Sequence, residues 1–525
     1  MCHRHPPGGG ADPGDAVSNG GGVRLGRRMA VNALHAITGR FAAVLLWLWL
    51  TPMILRGLGV DRYGLWALFF ALTGQLASLD FGLVQGTLRH VAAARERGDH
   101  EAAGSFATLA LLGYATLGLA WLGVLSAFMN PILSWLHIPA AHLESARFAM
   151  WMGPAVFVFT GFASVMMAVA QACGRFDIGN LITLAPTGVL AVAVLPVLRR
   201  GGGLEGLVVT VATGWLLAVM LGVALLSVVA RDFRWMSPAR AVAALPAALK
   251  FGAPLQLTTL LWTVNLQVDK LLIVRYLSLA AVATYELGAR VAMSAFTFPH
   301  LLLSAALPAA AAIHAREDDA RLRELYHRLS RYVLTAAAVT AACLLGCADR
   351  LYAVWLGPGH ADSALVLRGL ALGRALLLAA GAGSVIVRAI GRTSLEIWYH
   401  VIGVLVHVGL AVLLLPRLGI TGVLIAGASG YLAGSILFIV VVARGLRWRL
   451  TPLLGRPHVV PALVTAAGAI AALALDRILP PADGLAGWLA LAAVAATGAA
   501  VALAATFATR YLGWREAREL LWPTT

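Results

Sequence analysis

The chain has 525 residues, of which 60% are apolar and only 12% charged, and its mean hydropathy is +0.83. A water-soluble protein of that length carries about a quarter of its residues as charged groups, so soluble enzymes are excluded at the outset. The formal charge of +16 comes without a dense basic tract, which argues against nucleic acid as a partner. In a membrane protein the same excess reports orientation instead.

Residues 1–28 are rich in Gly, Pro and Asp with almost no apolar periodicity, which predicts a disordered cytoplasmic tail. Cys2, His3 and His5 lie in it, but three ligands on a floppy segment make no metal site, and Cys173, Cys343 and Cys347 suggest no disulfide framework. An apolar run follows that is too long for a removed signal peptide and lacks a cleavage site, so it reads as a first membrane helix.

Fourteen such runs recur, over about 30–55, 63–88, 104–129, 148–172, 178–198, 205–230, 251–275, 281–311, 332–349, 364–388, 394–415, 419–443, 459–478 and 485–508. Strand-like alternation is absent, so they are helices. With the N-terminal tail inside, 26 of the forty Lys and Arg fall in cytoplasmic segments, ten in outward loops and four within helices. Both termini are therefore expected in the cytoplasm.

The two halves of the chain resemble each other at a nearly constant offset. Arg56-Gly57-Leu58-Gly59 leading to Trp66 answers to Arg275-Tyr276-Leu277-Ser278 leading to Tyr285, at 219 residues. Four more landmarks follow in order at 217 to 221: Ala94-Arg95-Glu96 with Ala315-Arg316-Glu317, Trp135-Leu136 with Trp355-Leu356, Gly174-Arg175 with Gly391-Arg392, and Leu195-Pro196 with Leu415-Pro416. The repeat unit is six helices. An even number gives both halves the same sense across the bilayer, hence a pseudo-two-fold axis along the membrane normal and a site between the halves near mid-depth.

The expected fold class is an all-α polytopic membrane protein of about fourteen transmembrane helices, two six-helix lobes plus two extra C-terminal helices. Its parts are the tail (1–28), an N-lobe of helices 1–6 (29–230), a cytoplasmic amphipathic linker (231–250), a C-lobe of helices 7–12 (251–443), a basic linker (444–458) and helices 13–14 with a cytoplasmic tail (459–525). A further connector looks amphipathic, with Leu322, Leu325, Tyr326 and Leu329 on one face and Arg321, Arg323, Glu324 and Arg328 on the other.

An ionisable group inside a membrane must face protein or a wet cavity, since Arg or Lys at mid-helix costs at least about 2.5 kcal/mol. Four cations qualify: Arg40, Lys270, Arg290 and Arg374. Arg290 follows Glu286 by four residues, the order of a helical ion pair, so structural support competes with cavity lining there. Gln256, Thr259, Thr263, Gln267 and Lys270 form one narrow stripe on helix 7, which points to water, to ligand or to a neighbouring helix. Arg40 and Arg374 have no acidic neighbour in their own helices and read as cavity lining, although Asp80 is available across the bundle. Asn32 and His35 share a side of helix 1, and His400, Gly403 and His407 share a face of helix 11. Catalytic, metal and phosphate-loop motifs are missing, so an enzyme, an ATP-driven machine or a cofactor is not expected.

The run Thr51-Pro52-Met53-Ile54-Leu55-Arg56-Gly57-Leu58-Gly59-Val60-Asp61-Arg62-Tyr63-Gly64-Leu65-Trp66, then Leu79-Asp80-Phe81-Gly82-Leu83 and the stretch from Arg95 to His100, resembles bacterial polysaccharide-biosynthesis flippases. These belong to the multidrug/oligosaccharidyl-lipid/polysaccharide superfamily, and Val268-Asp269-Lys270-Leu271-Leu272-Ile273 and Tyr285-Glu286-Leu287-Gly288-Ala289-Arg290 agree. The resemblance implies translocation of a polyprenyl-pyrophosphate-linked oligosaccharide, such as an O-antigen, capsule or exopolysaccharide repeat unit, across the inner membrane by rocking of two lobes. Membrane lipids and a glycan polymerase or glycosyltransferases are the implied partners. Arg40, Lys270, Arg290 and Arg374 would attract the pyrophosphate and Gln256 and Gln267 would address sugar hydroxyls. The rival expectations are a multidrug-type small-molecule antiporter, a membrane glycan polymerase or ligase, and a scaffold for a glycan-synthesis complex.

Overall fold

The computed structural model describes residues 42, 44–77, 82–229, 233, 235–243 and 245–513. The expectations for the two tails, and for Asn32, His35, Arg40 and Asp80, lie outside these residues. Among the described residues there are helices and no strands. In lipid this follows from chemistry, because a helix satisfies its own backbone hydrogen bonds.

The N-lobe comprises α1 (Val44–Leu58), α2 (Val60–Ala77), α3 (Leu83–Glu96), α4 (His100–Trp135), α5 (Leu143–Ala172), α6 (Phe176–Arg199) and α7 (Gly203–Val229). A short α8 (Pro238–Val242) leads to the C-lobe: α9 (Leu245–Tyr276), α10 (Leu279–Ala295), α11 (Thr297–His314), α12 (Asp319–Leu356), α13 (Ala361–Leu378), α14 (Gly381–Ala389), α15 (Ser394–Leu418) and α16 (Ile420–Gly445). After α17 (Thr451–Leu454) come α18 (Arg456–Ile478) and α19 (Gly484–Ala508). Among the described residues eleven rods are long and apolar enough to cross a membrane. The remaining three expected crossings, α1, α2 with α3, and α9, are less apolar or only partly described, and all three border the seam between the lobes.

Neighbour relations repeat as the duplication requires. In the N-lobe α4 packs on α5, α5 on α7 and α6 on α7; in the C-lobe α12 packs on α13, α13 on α16 and α15 on α16. The eighth expected crossing is two helices, α10 and α11, meeting at Phe296, whose backbone N–H still bonds back to Ala292. The tenth is likewise divided into α13 and α14. The stretch read as an amphipathic connector is the start of α12 itself. Its apolar face is buried as the pattern requires, with Leu322, Tyr326 and Leu329 against the core, but it continues into the membrane helix without a break.

The appended pair α18 and α19 packs on α12 rather than between the lobes. Small residues make this seam: a Cβ at Gly468 would lie 2.6 Å from the carbonyl oxygen of Gly498, so the backbones of α18 and α19 touch. Arg350 of α12 ion-pairs with Asp476, and its Nη2 donates to the carbonyls of Asp476 and Leu479, each at 3.0 Å, tying down the end of α18. The pair is thus held to the C-lobe.

Candidate functional site

The lobes meet where α2 packs on α9 and α10. Gly64 permits the closest approach, because a Cβ there would lie 2.0 Å from the carbonyl oxygen of Leu279. Ser278 caps α10 by accepting from the Ala281 N–H at 3.1 Å, and two turns later α10 presents Glu286 and Arg290 to the seam.

Glu286 is held by two cations. Lys270 Nζ of α9 lies 2.6 Å from its Oε2, and Arg290 Nη2 donates to its Oε1 at 2.6 Å. All three are largely buried, so the group carries one net positive charge in a poorly solvated place. Trp47 of α1 covers the guanidinium, whose carbon is 4.4 Å from the ring centroid. Tyr63 of α2, fully buried, lies beside Arg290 and Thr51. Arg290 Nε is buried with no hydrogen-bond partner among the described residues. Elements of both lobes therefore close on this charge.

A second buried cluster lies inside the C-lobe. Asp269, one residue before Lys270, faces α10 and α15: the Tyr285 hydroxyl donates to its Oδ2, and His407 Nε2 lies 2.7 Å from its Oδ1. Tyr431 of α16 sits 6.4 Å from the His407 ring, centroid to centroid. Arg374 of α13, only 8% exposed, acts electrostatically on Tyr285, Tyr431 and His300. Among the described residues no carboxylate lies within the 4.0 Å of an ion pair from Arg374.

The predicted stripe on α9 stays on one continuous helix. Gln256 and Lys270 are buried, Thr259 is exposed and Thr263 and Gln267 are half-buried. The buried oxygens Gln267 Oε1 and Asn265 Oδ1 have no hydrogen-bond partner among the described residues. Of the predicted site residues, Lys270 and Arg290 come together on one carboxylate, Arg374 stands apart beside Tyr285 and Tyr431, and Arg40 is outside the described residues. His400 and His407 separate: His407 meets Asp269, while His400 borders a cavity with His300 and Tyr399. Sequence reasoning missed Asp269, Tyr285, Trp47 and Tyr63 as site residues. Asp269 beside Lys270 was the available signal, an acid and a base on successive positions of an apolar helix.

The seam is fastened at the face carrying the α1–α2 turn. There Arg275 Nη1 lies 2.8 Å from His137 Nδ1 of the N-lobe, and Trp355 Nε1 of α12 donates to the Leu48 carbonyl of α1 at 2.9 Å. Elsewhere along the seam α9 lies against α3 and α4.

The fold is shared with solved transporters of the multidrug/oligosaccharidyl-lipid/polysaccharide superfamily. An inward-facing multidrug resistance transporter of that superfamily matches with a TM-score of 0.66 at 17% identity, covering 78% of this chain and 98% of that one. The lipid II flippase MurJ in an inward closed conformation matches with a TM-score of 0.68 at 13% identity, covering 91% and 99%. An outward-facing multidrug transporter gives 0.56 at 17% identity, covering 80% and 95%. Among curated proteins none matches the sequence. The family model described as polysaccharide biosynthesis protein matches residues 56–364, and the chain belongs to that family.

Proposed function

We propose that the protein is a flippase that carries a polyprenyl-pyrophosphate-linked oligosaccharide, an O-antigen, capsule or exopolysaccharide repeat unit, across the bacterial inner membrane, with both termini in the cytoplasm. The observation that carries the reading is how the buried cations are partnered at and beside the seam. Lys270 and Arg290 share one carboxylate, and Arg374 has none within ion-pair distance among the described residues. Such charge is costly in lipid and is retained where an anion is bound. A pyrophosphate supplies the anion, Gln256 and Gln267 address hydroxyls, and the prenyl tail stays in the bilayer. Arg40 is proposed to line the same path.

Movement follows from the fastenings of the seam. For the α1–α2 face to open, Arg275 must leave His137, Trp355 must leave the Leu48 carbonyl, and Trp47 must leave Arg290. Cargo binding to the cations weakens the last of these, because a guanidinium engaged by phosphate is less attracted to a ring face. The carboxylates Asp269, Glu286 and Glu396 all face a basic side chain, which disfavours the antiporter of cationic drugs as the alternative.

Deletion of the gene tests this. A polyprenyl-linked saccharide should accumulate on the inner leaflet and surface glycan should disappear. Wild-type protein should restore export, and the inserted Arg40→Ala and Arg374→Ala variants should not. Normal surface glycan with the double variant would reject the reading.

A further inference from the structure

A cavity of about 430 Å³ opens inside the C-lobe, bordered by α9, α11, the end of α13, α14 and α15. It is large enough for a small organic ligand. Its charged groups cancel: Glu396 is 3% exposed and accepts from Arg388 Nε at 2.8 Å and Nη2 at 2.7 Å, while the Ser384 hydroxyl also donates to it. Arg388 is itself exposed and is oriented by that carboxylate. Beyond this pair the wall offers the hydroxyls of Thr259 and Ser304 and the imidazoles of His300 and His400. Leu303, Leu307 and Tyr399 supply apolar surface between them.

Three ligand chemistries can be compared with this wall. A phosphate or pyrophosphate needs net positive charge, which the Arg388 and Glu396 pair does not give. An acyl or prenyl chain would take the His300 imidazole and the exposed Arg388 guanidinium out of water, at a desolvation cost. A pyranose ring has hydroxyls around its rim and C–H groups on its faces, and matches both kinds of surface.

We infer that this C-lobe cavity seats the uncharged sugar rings of the lipid-linked cargo, with Arg388, Ser304 and His300 addressing hydroxyls and Tyr399 and the leucines covering ring faces. The inference rests on the flippase reading and adds to it a place for the saccharide, separate from the cations at the lobe seam. Location supports it. The turn from α14 to α15, where Arg388 and Glu396 lie, is at the face opposite the fastened α1–α2 face, so sugar can enter while that fastening holds. A wall without net charge selects neutral sugars over uronic acids.

The test is binding to the full-length protein in nanodiscs, using undecaprenyl pyrophosphate bare, with a neutral disaccharide, and with a uronic-acid disaccharide. The neutral glycosylated probe should bind about tenfold more tightly than the bare carrier, and the acidic one should gain less. Ser304→Phe narrows the cavity from an exposed position, and His300→Ala removes one donor; both should bring the ratio close to unity while the bare carrier binds as before. A thermal melt checks that each variant is folded. If wild type binds bare and glycosylated carriers equally, or both variants keep the preference, the cavity assignment is overturned while the flippase reading stands. If no polyprenyl probe binds at all, the flippase reading falls and the assignment with it.

Discussion

The two lobes share one architecture and differ in what they bury. At the 219-residue offset Asp269, Lys270, Glu286 and Arg290 of the C-lobe correspond to Leu50, Thr51, Ala67 and Ala71 of the N-lobe, all four of which are fully buried. Among the described residues the N-lobe buries Thr51, Thr73, Thr87, Ser145 and Thr210 but no charged side chain, whereas the C-lobe buries Asp269, Lys270, Glu286, Arg374 and Glu396. The same helix positions thus make a dry packing surface in one half and an ionic network in the other. Packing a helix bundle in lipid needs only small and apolar residues. The charges are therefore not needed to build the lobe, and their concentration on one side of the seam is what the proposed flippase reading accounts for.

The comparison is most exposed to a change at Glu286. Replacing it by Gln leaves Lys270 and Arg290 buried without a counter-charge, a loss of about 3 kcal/mol or more, and should lower the melting temperature of the detergent-solubilised protein by more than any substitution in the matching N-lobe positions. A melt unchanged by Glu286→Gln would mean that the two cations are solvated rather than paired. Next in size is Gly64→Ala, where the new methyl meets the Leu279 carbonyl. The lobes must separate or strain, at about 1–3 kcal/mol, whereas Gly123→Ala, with open space around it, should be neutral. Equal melts for the two would show that the seam is looser than described.

Smallest is Thr51→Ala in the N-lobe. Its hydroxyl donates to the Trp47 carbonyl at 2.7 Å, a bond whose loss costs about 1 kcal/mol or less. A differential scanning measurement should place it well below Lys270→Ala, its counterpart in the C-lobe. If the two are equal, the asymmetry between the lobes is one of composition and not of energy.

Much of this is legible in the sequence alone. The rods, their number and the six-helix repeat follow from apolar runs and constant offsets, since lipid leaves the backbone few alternatives. The pairing of Arg290 with Glu286 was legible from their spacing of four. The cluster of Asp269, Tyr285 and His407 was not, because it joins three helices far apart in sequence, and helical periodicity predicts the face of one helix without naming its neighbour. The merging of the amphipathic connector into α12 was hidden for a related reason. A polar and apolar face looks the same whether it lies against lipid or against the protein core, and only the neighbouring elements decide.

Translocation by the reconstituted protein tests the central claim most directly. In proteoliposomes supplied with undecaprenyl pyrophosphate carrying a saccharide, wild type should move the glycolipid between leaflets, and Arg374→Gln should slow this at least about tenfold with a melt equal to or above that of wild type, since an unpaired buried charge has been removed. Equal rates for the two proteins would contradict the claim that the buried cations of the C-lobe carry the cargo.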